Sequence, residues 1–199
     1  MRLDLIGATA YLRHMAQLPI IVAPDPRLKV KAKAVTKVDD RIRKLLADMV
    51  ETMHAAPGIG LAAPQVGQAL RIVVVDVAKE GEPSKPMKFI NPEIVWASGE
   101  KIPWEEGCLS LPDQFAEVER PKEVKVRYLD ETGVKAEVHA TGLLATCVQH
   151  EMDHLDGVLF VDHISALRRN MILRKLVKAK KLKDEKKKPT EKPGAAVPA

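Results

Sequence analysis

The sequence predicts an α+β fold from three observations: an amphipathic helix near the start, several β-branched segments in the middle and further helices towards the end. Strands and helices do not alternate regularly, as a doubly wound sheet would require. The 199 residues, 46% of them hydrophobic, suffice for one domain with its own core. No apolar run approaches the ~18 residues of a membrane span, so a membrane enzyme is not expected.

The first predicted helix starts at Ile42. From there to Met53, apolar residues recur at i, i+3, i+4, i+7, i+8 and i+11. Asp39 or Asp40 precedes this pattern and is suited to be the N-cap. The pattern therefore predicts a helix with one buried face.

The middle of the chain favours strands. β-branched and apolar residues predict a buried strand at 72–75 and further strands at 89–96, 123–129 and 134–139. The last two are joined by a turn sequence and form a predicted hairpin. A second helix is predicted over 141–154, ended by Gly157 in the position that follows the cap.

The basic charge is concentrated near the end of the chain. Residues 168–188 contain eleven Lys or Arg and two acidic residues, a net +9, which leaves −4 elsewhere in a chain of formal net charge +5. We interpret 168–185 as a basic helix and 186–199 as a disordered tail. This region serves either a polyanion contact, such as nucleic acid, or solubility. Residues 1–17 lack a convincing period and are predicted to be an N-terminal extension.

The chain contains two cysteines, Cys108 and Cys147, which are too few for a disulfide-stapled secreted fold. Its N-terminus also lacks the apolar core and cleavage site of a signal peptide. The sequence therefore predicts a reducing, cytoplasmic compartment in which a thiol is available for chemistry.

The sharpest chemical motif is HEMDH at 150–154. Residues four apart share one face of a helix, so His150 and His154 can bind one metal ion while Glu151 reaches the adjacent water. The alternative is a polar surface helix. Leu144 and Val148 indicate a buried helix instead, where unpaired His and Glu would be costly.

A hydrolytic metal needs a third protein ligand. The extended motif HExxHxxGxxH fails at its last position, Phe160, and downstream glutamates lie in the basic tail. Cys147 is about 7.5 Å along the helix axis from the level of the metal, at 1.5 Å per residue, and is too short to reach it. We interpret it as a small buried residue. Cys108, preceded by Gly107, is the remaining candidate.

A third segment, GIGLAAPQ at 58–65, is rich in glycine and alanine. Gly58-x-Gly60-x-x-Ala63 fits a dinucleotide fingerprint, but that motif requires a strand before it and a helix after it, and here the order is reversed. We interpret the segment as a loop that admits an extended substrate, with Gln65 directed at a developing oxyanion.

Together, GIGLAAPQ at 58–65, EGCLS at 106–110 and QHEMDH at 149–154 resemble the three motifs of the bacterial peptide deformylase family. The resemblance extends from about Leu18 to near Lys183. It implies a catalytic domain over 18–167, with mixed or antiparallel β-sheets packed around a central HExxH helix. Because the resemblance begins near Leu18, Met15 is a second candidate for the start of the chain beside Met1.

The resemblance assigns roles residue by residue. It implies that the metal ligands are Cys108, His150 and His154. It implies Glu151 as the acid/base catalyst, and Gln65 with the backbone N–H of Leu109 as the oxyanion hole. Beside the substrate it places Gly60, Gly107, Ile59, Leu143 and Cys147, the last three in the pocket for the methionine side chain.

The implied reaction is hydrolysis of the N-formyl group from the initiator methionine of nascent chains, with release of formate. Metal-bound water attacks the formyl carbon, and Glu151 takes its proton and returns it to the departing amine. Ligand chemistry alone favours zinc for a Cys-His-His site. The family implies one Fe²⁺ ion in vivo, for which Zn²⁺, Ni²⁺ or Co²⁺ can substitute.

For partners, the resemblance implies the ribosome near its tunnel exit, contacted by the basic helix, and no membrane. Two alternatives remain. The missing downstream ligand argues against an HExxH endopeptidase, and Glu151, which a structural zinc site does not need, argues against a non-enzymatic ribosome-associated module. Trp104 and Phe115 depart from the expected family pattern, which leaves peptide preference beyond methionine open.

Overall fold

The computed structural model describes residues 17–79 and 81–187. These form three α-helices and seven β-strands, in the order α1 (Asp40–Ala55), β1 (Gly60–Ala62), β2 (Ile72–Val75), β3 (Met87–Ala97), β4 (Lys101–Cys108), β5 (Leu111–Pro121), β6 (Glu123–Leu129), β7 (Lys135–Thr141), α2 (Gly142–Leu155) and α3 (Ala166–Lys187). Short 3-10 helices cover Pro26–Lys29, Ala63–Val66 and Phe160–Asp162. The predicted extension up to residue 16 and the predicted tail from residue 188 lie outside the described residues.

The strands form two antiparallel sheets. One has five strands in the order β1-β2-β3-β6-β7, and the other is the β4–β5 pair. The predicted strands at 72–75, 89–96 and 123–129 and the predicted hairpin to 134–139 are confirmed. The α+β class is confirmed with them, because helices and strands occupy separate stretches of the chain.

Strand β2 is buried on both faces, which explains its four consecutive β-branched residues. Ile72 and Val74 pack with the apolar face of α1, whereas Val73 and Val75 pack with α2. Alternate residues of a strand point to opposite faces, so this pattern puts the large sheet between the two helices. Helix α2 therefore has the sheet on one side and is free to face the β4–β5 pair on another.

Local signals set the helix ends. The Asp39 side chain accepts a hydrogen bond of 3.1 Å from the Ile42 backbone N–H and caps α1, as predicted. At the end of α2, Gly157 follows the cap residue with φ +73°, so the predicted glycine stop is confirmed.

Two parts of the fold differ from the prediction. Residues 58–65 were expected to be a loop, yet they contain strand β1 and a 3-10 helix, because Gly60–Ala62 pairs with β2. The β4–β5 hairpin was not predicted at all. It brings Cys108 to a turn beside α2.

Helix α3 is anchored to the rest of the molecule. Ile172 and Leu176 are buried in a cluster with Phe160 and with Leu111 of β5. Arg174, Lys178 and Lys181 are exposed on the opposite side of the helix. Among the residues that the structure describes, no helix combines the length and apolarity needed to cross a membrane.

Gly157→Ala is expected to destabilise the protein by about 3 kcal/mol, because a left-handed alanine is strained and its Cβ would lie 2.6 Å from the Lys29 carbonyl oxygen. Gly142→Ala, at the other end of α2, is the matched control: its φ is +55° but a Cβ there meets nothing within 4 Å. It should cost about 1 kcal/mol. Urea unfolding measures the free energy of unfolding of both variants. Equal losses of stability in the two would contradict a role for the contact with Lys29.

Candidate active site

Helix α2 and the β4–β5 turn bring three metal-ligating side chains together. His150 and His154 lie one turn apart with ring centroids 5.0 Å from each other. Cys108, the last residue of β4, has its Sγ 3.3 Å from Nε2 of His154. One donor atom from each residue lies within 4.8 Å of the others. A sulfur and two imidazoles in this arrangement fit a divalent transition metal with an open coordination position.

The ring of His150 is held by a carboxylate. Nδ1 of His150 donates to Oε2 of Glu106 at 2.7 Å, which leaves Nε2 as the atom for a metal. Glu106 also accepts from Arg120, whose Nε and Nη2 lie 2.5 and 3.0 Å from its two oxygens. Nη1 of Arg120 donates to Asp153 of α2 at 2.9 Å. The hairpin and the helix are thus joined by one ion network.

Burial and pairing oppose each other in this network. Burial raises the pKa of Glu106, but hydrogen bonds from His150 and Arg120 outweigh it and hold the pKa below its usual value. Burial lowers the pKa of Arg120, but its ion pairs with Glu106 and Asp153 outweigh burial and raise the pKa above its usual value. Both groups are therefore charged at neutral pH, inside the protein.

Glu151 occupies a different environment. Its carboxyl is buried, and within the described part of the chain its Oε2 has no hydrogen-bond partner. Burial raises the pKa of Glu151 to about 7. A Cβ on Gly60 would overlap this carboxylate and lie 2.8 Å from Sγ of Cys147, so only glycine fits at position 60.

The Gln65 amide has a fixed orientation. Its Oε1 accepts from the Ala62 backbone N–H at 2.7 Å. Its Nε2 lies 3.2 Å from Oγ of Ser110 and 3.5 Å from Sγ of Cys108. The N–H side of the amide therefore faces the three ligands.

A cavity of about 430 Å³ opens onto this cluster. Its lining includes Cys108, His150 and Glu151, together with three of the predicted substrate-side residues, Ile59, Gly60 and Gly107, and with Leu109 of the predicted oxyanion hole. The other four predicted site residues, His154, Gln65, Leu143 and Cys147, are outside that lining. Cys147 is buried behind Gly60 with its Sγ 3.5 Å from the Ile59 carbonyl, and Leu143 is half-buried at the start of α2.

Comparison with known proteins identifies the family. The model of the family described as Polypeptide deformylase matches residues 17–170. The chain is 55% identical over 164 residues to a peptide deformylase of Phenylobacterium zucineum, covering 82% of this chain and 97% of the relative. The chain belongs to the peptide deformylase family. A Brucella suis peptide deformylase is 53% identical over 173 residues, covering 87% and 99% of the two chains.

Solved structures of peptide deformylases share the fold. A crystal structure from Ehrlichia chaffeensis has a TM-score of 0.81 and 42% identity over 84% of this chain and 99% of that one. A second, in complex with actinonin, has a TM-score of 0.80 at 45% identity over 83% and 98%. This chain is therefore an enzyme that removes the N-formyl group from nascent peptides. Family membership decides against the endopeptidase and the non-enzymatic alternatives.

Three members of the ion network were missed in the sequence, and one of them, Asp153, lies inside the HEMDH motif itself. Glu106 lies inside the EGCLS segment, which offered a signal, because a carboxylate two residues from a ligand is placed to bind the other ligand. Arg120 offered none, since it is 14 residues further along and reaches Glu106 only through the pairing of β4 with β5.

Arg120→Met is expected to lower the free energy of unfolding by about 3–5 kcal/mol, because the buried Glu106 loses its cation, whereas the half-buried Asp153 retains His163 as a partner. It should also weaken metal affinity about 10–100-fold through His150. Arg127→Met removes an exposed pair with Glu137 and should cost less than about 1 kcal/mol. Denaturant unfolding and competition with a chelator test these values. A variant Arg120→Met with normal metal affinity would contradict the positioning role.

Proposed function

We propose that Cys108, His150 and His154 hold one divalent metal ion, Fe²⁺ in the cell, and that deformylation takes place beside it. When bound, the ion supplies a Lewis acid that makes water nucleophilic near neutral pH. The observation that carries the proposal is the convergence of these three donors beside a cavity that Cys108, His150 and Glu151 line. The mixed sulfur and nitrogen donor set suits Fe²⁺, Zn²⁺, Ni²⁺ or Co²⁺.

In this proposal Glu151 takes a proton from the attacking water and returns it to the departing amine. A pKa of about 7 supports that role, since such a carboxyl both accepts and donates at physiological pH. Nε2 of Gln65 and the backbone N–H of Leu109 hold the oxyanion. The fixed amide of Gln65, with its N–H side towards Cys108, supports the first of these donors.

The peptide lies along the open edge of β1 in this proposal. Strand β1 is an edge strand of the five-stranded sheet, so it has one side on which an extended chain can pair, although its Ala62 N–H already donates to Gln65. Gly60 and Gly107 carry no side chain that would hold the peptide away. We keep Ile59, Leu143 and Cys147 as the residues proposed around the methionine side chain.

Glu151→Gln is expected to lower formate release from formyl-Met-Ala-Ser about 10²–10⁴-fold, because the amide keeps the shape of the carboxyl but cannot accept the proton. Glu105→Gln changes an exposed carboxyl on β4 and is the matched control, with unchanged activity. Formate assay and metal analysis are made on the same samples, purified without oxygen. We expect near one iron per chain in both variants.

The two measurements separate the parts of the proposal. Equal activity of Glu151→Gln and wild type would contradict the proton-transfer role. Full activity without bound metal would contradict the metal site. Iron that is lost in air together with activity, and activity that persists in a Ni²⁺-loaded sample, would support Fe²⁺ as the native ion, since ferrous iron and its thiolate ligand are oxidised by oxygen.

We also propose that α3 docks the enzyme on the ribosome, in the cytoplasm where formylated chains emerge. Arg174, Lys178 and Lys181 form an exposed row beside Leu173 and Val177. A cationic row with an apolar strip suits ribosomal RNA, whose phosphates attract Lys and Arg. Because the opposite side of α3 is buried, the row has a fixed orientation on the molecule.

Replacing Arg174, Lys178 and Lys181 together with alanine is expected to weaken ribosome binding and to reduce the slope of log affinity against log salt by about 2–3. Replacing three exposed lysines elsewhere, Lys37, Lys101 and Lys135, is the control for net charge. Co-sedimentation over a salt series measures both. If both triple variants lose binding equally, general charge rather than this row is responsible.

A further inference from the structure

Phe115 is an exposed aromatic residue beside a metal ligand. It lies on β5 with 61% of its surface accessible, on the same strand face as the exposed Glu117 and Glu119. Its cross-strand partner is Gly107, the residue before Cys108. The ring and the exposed side chain of Ile59 line the same cavity, and exposed apolar side chains that cluster in this way mark binding surfaces.

The ring of Phe115 is packed on the backbone of Gly107. A Cβ at position 107 would lie 2.6 and 2.8 Å from two of its ring carbons. The glycine therefore lets the ring lie against the strand, and the contact fixes where the ring points. One side of the ring covers Gly107, and the residue also lines the cavity at the metal cluster.

The surroundings of the ring define a chemical preference. Ile59, which is 42% exposed, lines the same cavity, and Leu109 and Pro112 add further apolar surface. The charged side chains in the lining outside the metal ligands are the carboxyls of Asp113 and Glu151. An apolar side chain gains contacts here, whereas an acidic one meets apolar surface and like charge.

We propose that Phe115 contacts the side chain of the second residue of the formylated peptide and selects apolar over acidic residues there. This inference rests on the proposed function, because the formyl group must lie at Cys108, His150 and His154. Consecutive Cα atoms are 3.8 Å apart, so in an extended peptide the second Cα lies roughly 6 Å from the formyl carbon. Gly107 is the neighbour of Cys108 in the chain, about 3.8 Å away from Cα to Cα, and the Phe115 ring lies on Gly107. The ring is therefore close enough to the metal ligands to contact the second residue of the peptide.

The test measures kcat/KM for formyl-Met-X-Ser with X as Leu, Gly or Glu. For wild type we expect Leu to exceed Glu by about tenfold or more, near the lower end of what one apolar contact contributes in a pocket. Phe115→Ala should reduce the Leu-to-Glu ratio to less than about threefold, through KM rather than kcat, because the ring contacts ground state and transition state alike. Phe115→Leu should keep most of the ratio.

Trp96→Ala is the matched control, since Trp96 is a 45% exposed aromatic on β3 outside the cavity lining. Trp96→Ala should leave kcat/KM unchanged for the Leu, Gly and Glu substrates. A Leu-to-Glu ratio of kcat/KM that is unaltered in Phe115→Ala would overturn the proposal. It would also be overturned if Phe115→Ala changed the preference at the third residue of the peptide and left the preference at the second unchanged. Formate release from formyl-Met-Gly-Ser reports the deformylase reaction separately, so its absence in wild type would identify a failure of the proposed function itself.

Discussion

The ion network of Arg120 is the contact on which the site depends. One ligand, Cys108, comes from the hairpin, and the other two come from α2, more than forty residues later. Arg120 and Glu106 belong to the hairpin, while His150 and Asp153 belong to the helix, so four charged or polar side chains fix the two elements against each other. A buried pair of this kind adds little net stability, but it determines a unique arrangement. Here that arrangement is the spacing of the three donors.

A second constraint acts on Glu151 from the opposite side. Strand β1 approaches α2 so closely at Gly60 that only a residue without a side chain fits. The approach removes water from Glu151 and raises its pKa, whereas Glu106, which contacts His150 in the same site, is held ionised by its partners. Two carboxyls thus acquire opposite character from their environments, one held ionised against His150 and the other able to take up a proton near neutral pH.

The regular elements were predictable because their burial is periodic. Helix α1 shows one apolar face, and β2 shows β-branched residues on both faces, and the structure confirms both. The β4–β5 hairpin was not predictable in this way, since β4 leaves Trp104 and Glu105 exposed and gives no clean alternation. The HExxH spacing located two candidate ligands, and the EGCLS segment supplied the third. Arg120 could not be located, because its partner is set by strand register and not by sequence distance.

The position of α3 follows from the same packing and bears on how a nascent chain reaches the cavity. Ile172 and Leu176 anchor the helix on the cluster that also contains Leu111 of the hairpin. Pro112, the next residue, lines both the metal-side cavity and a groove whose other wall includes Leu176 and Lys180. Helix α3 therefore borders on the cavity lining through this groove. Under the proposed docking, the groove would connect the docked helix to the cavity in which formylated N-termini are bound.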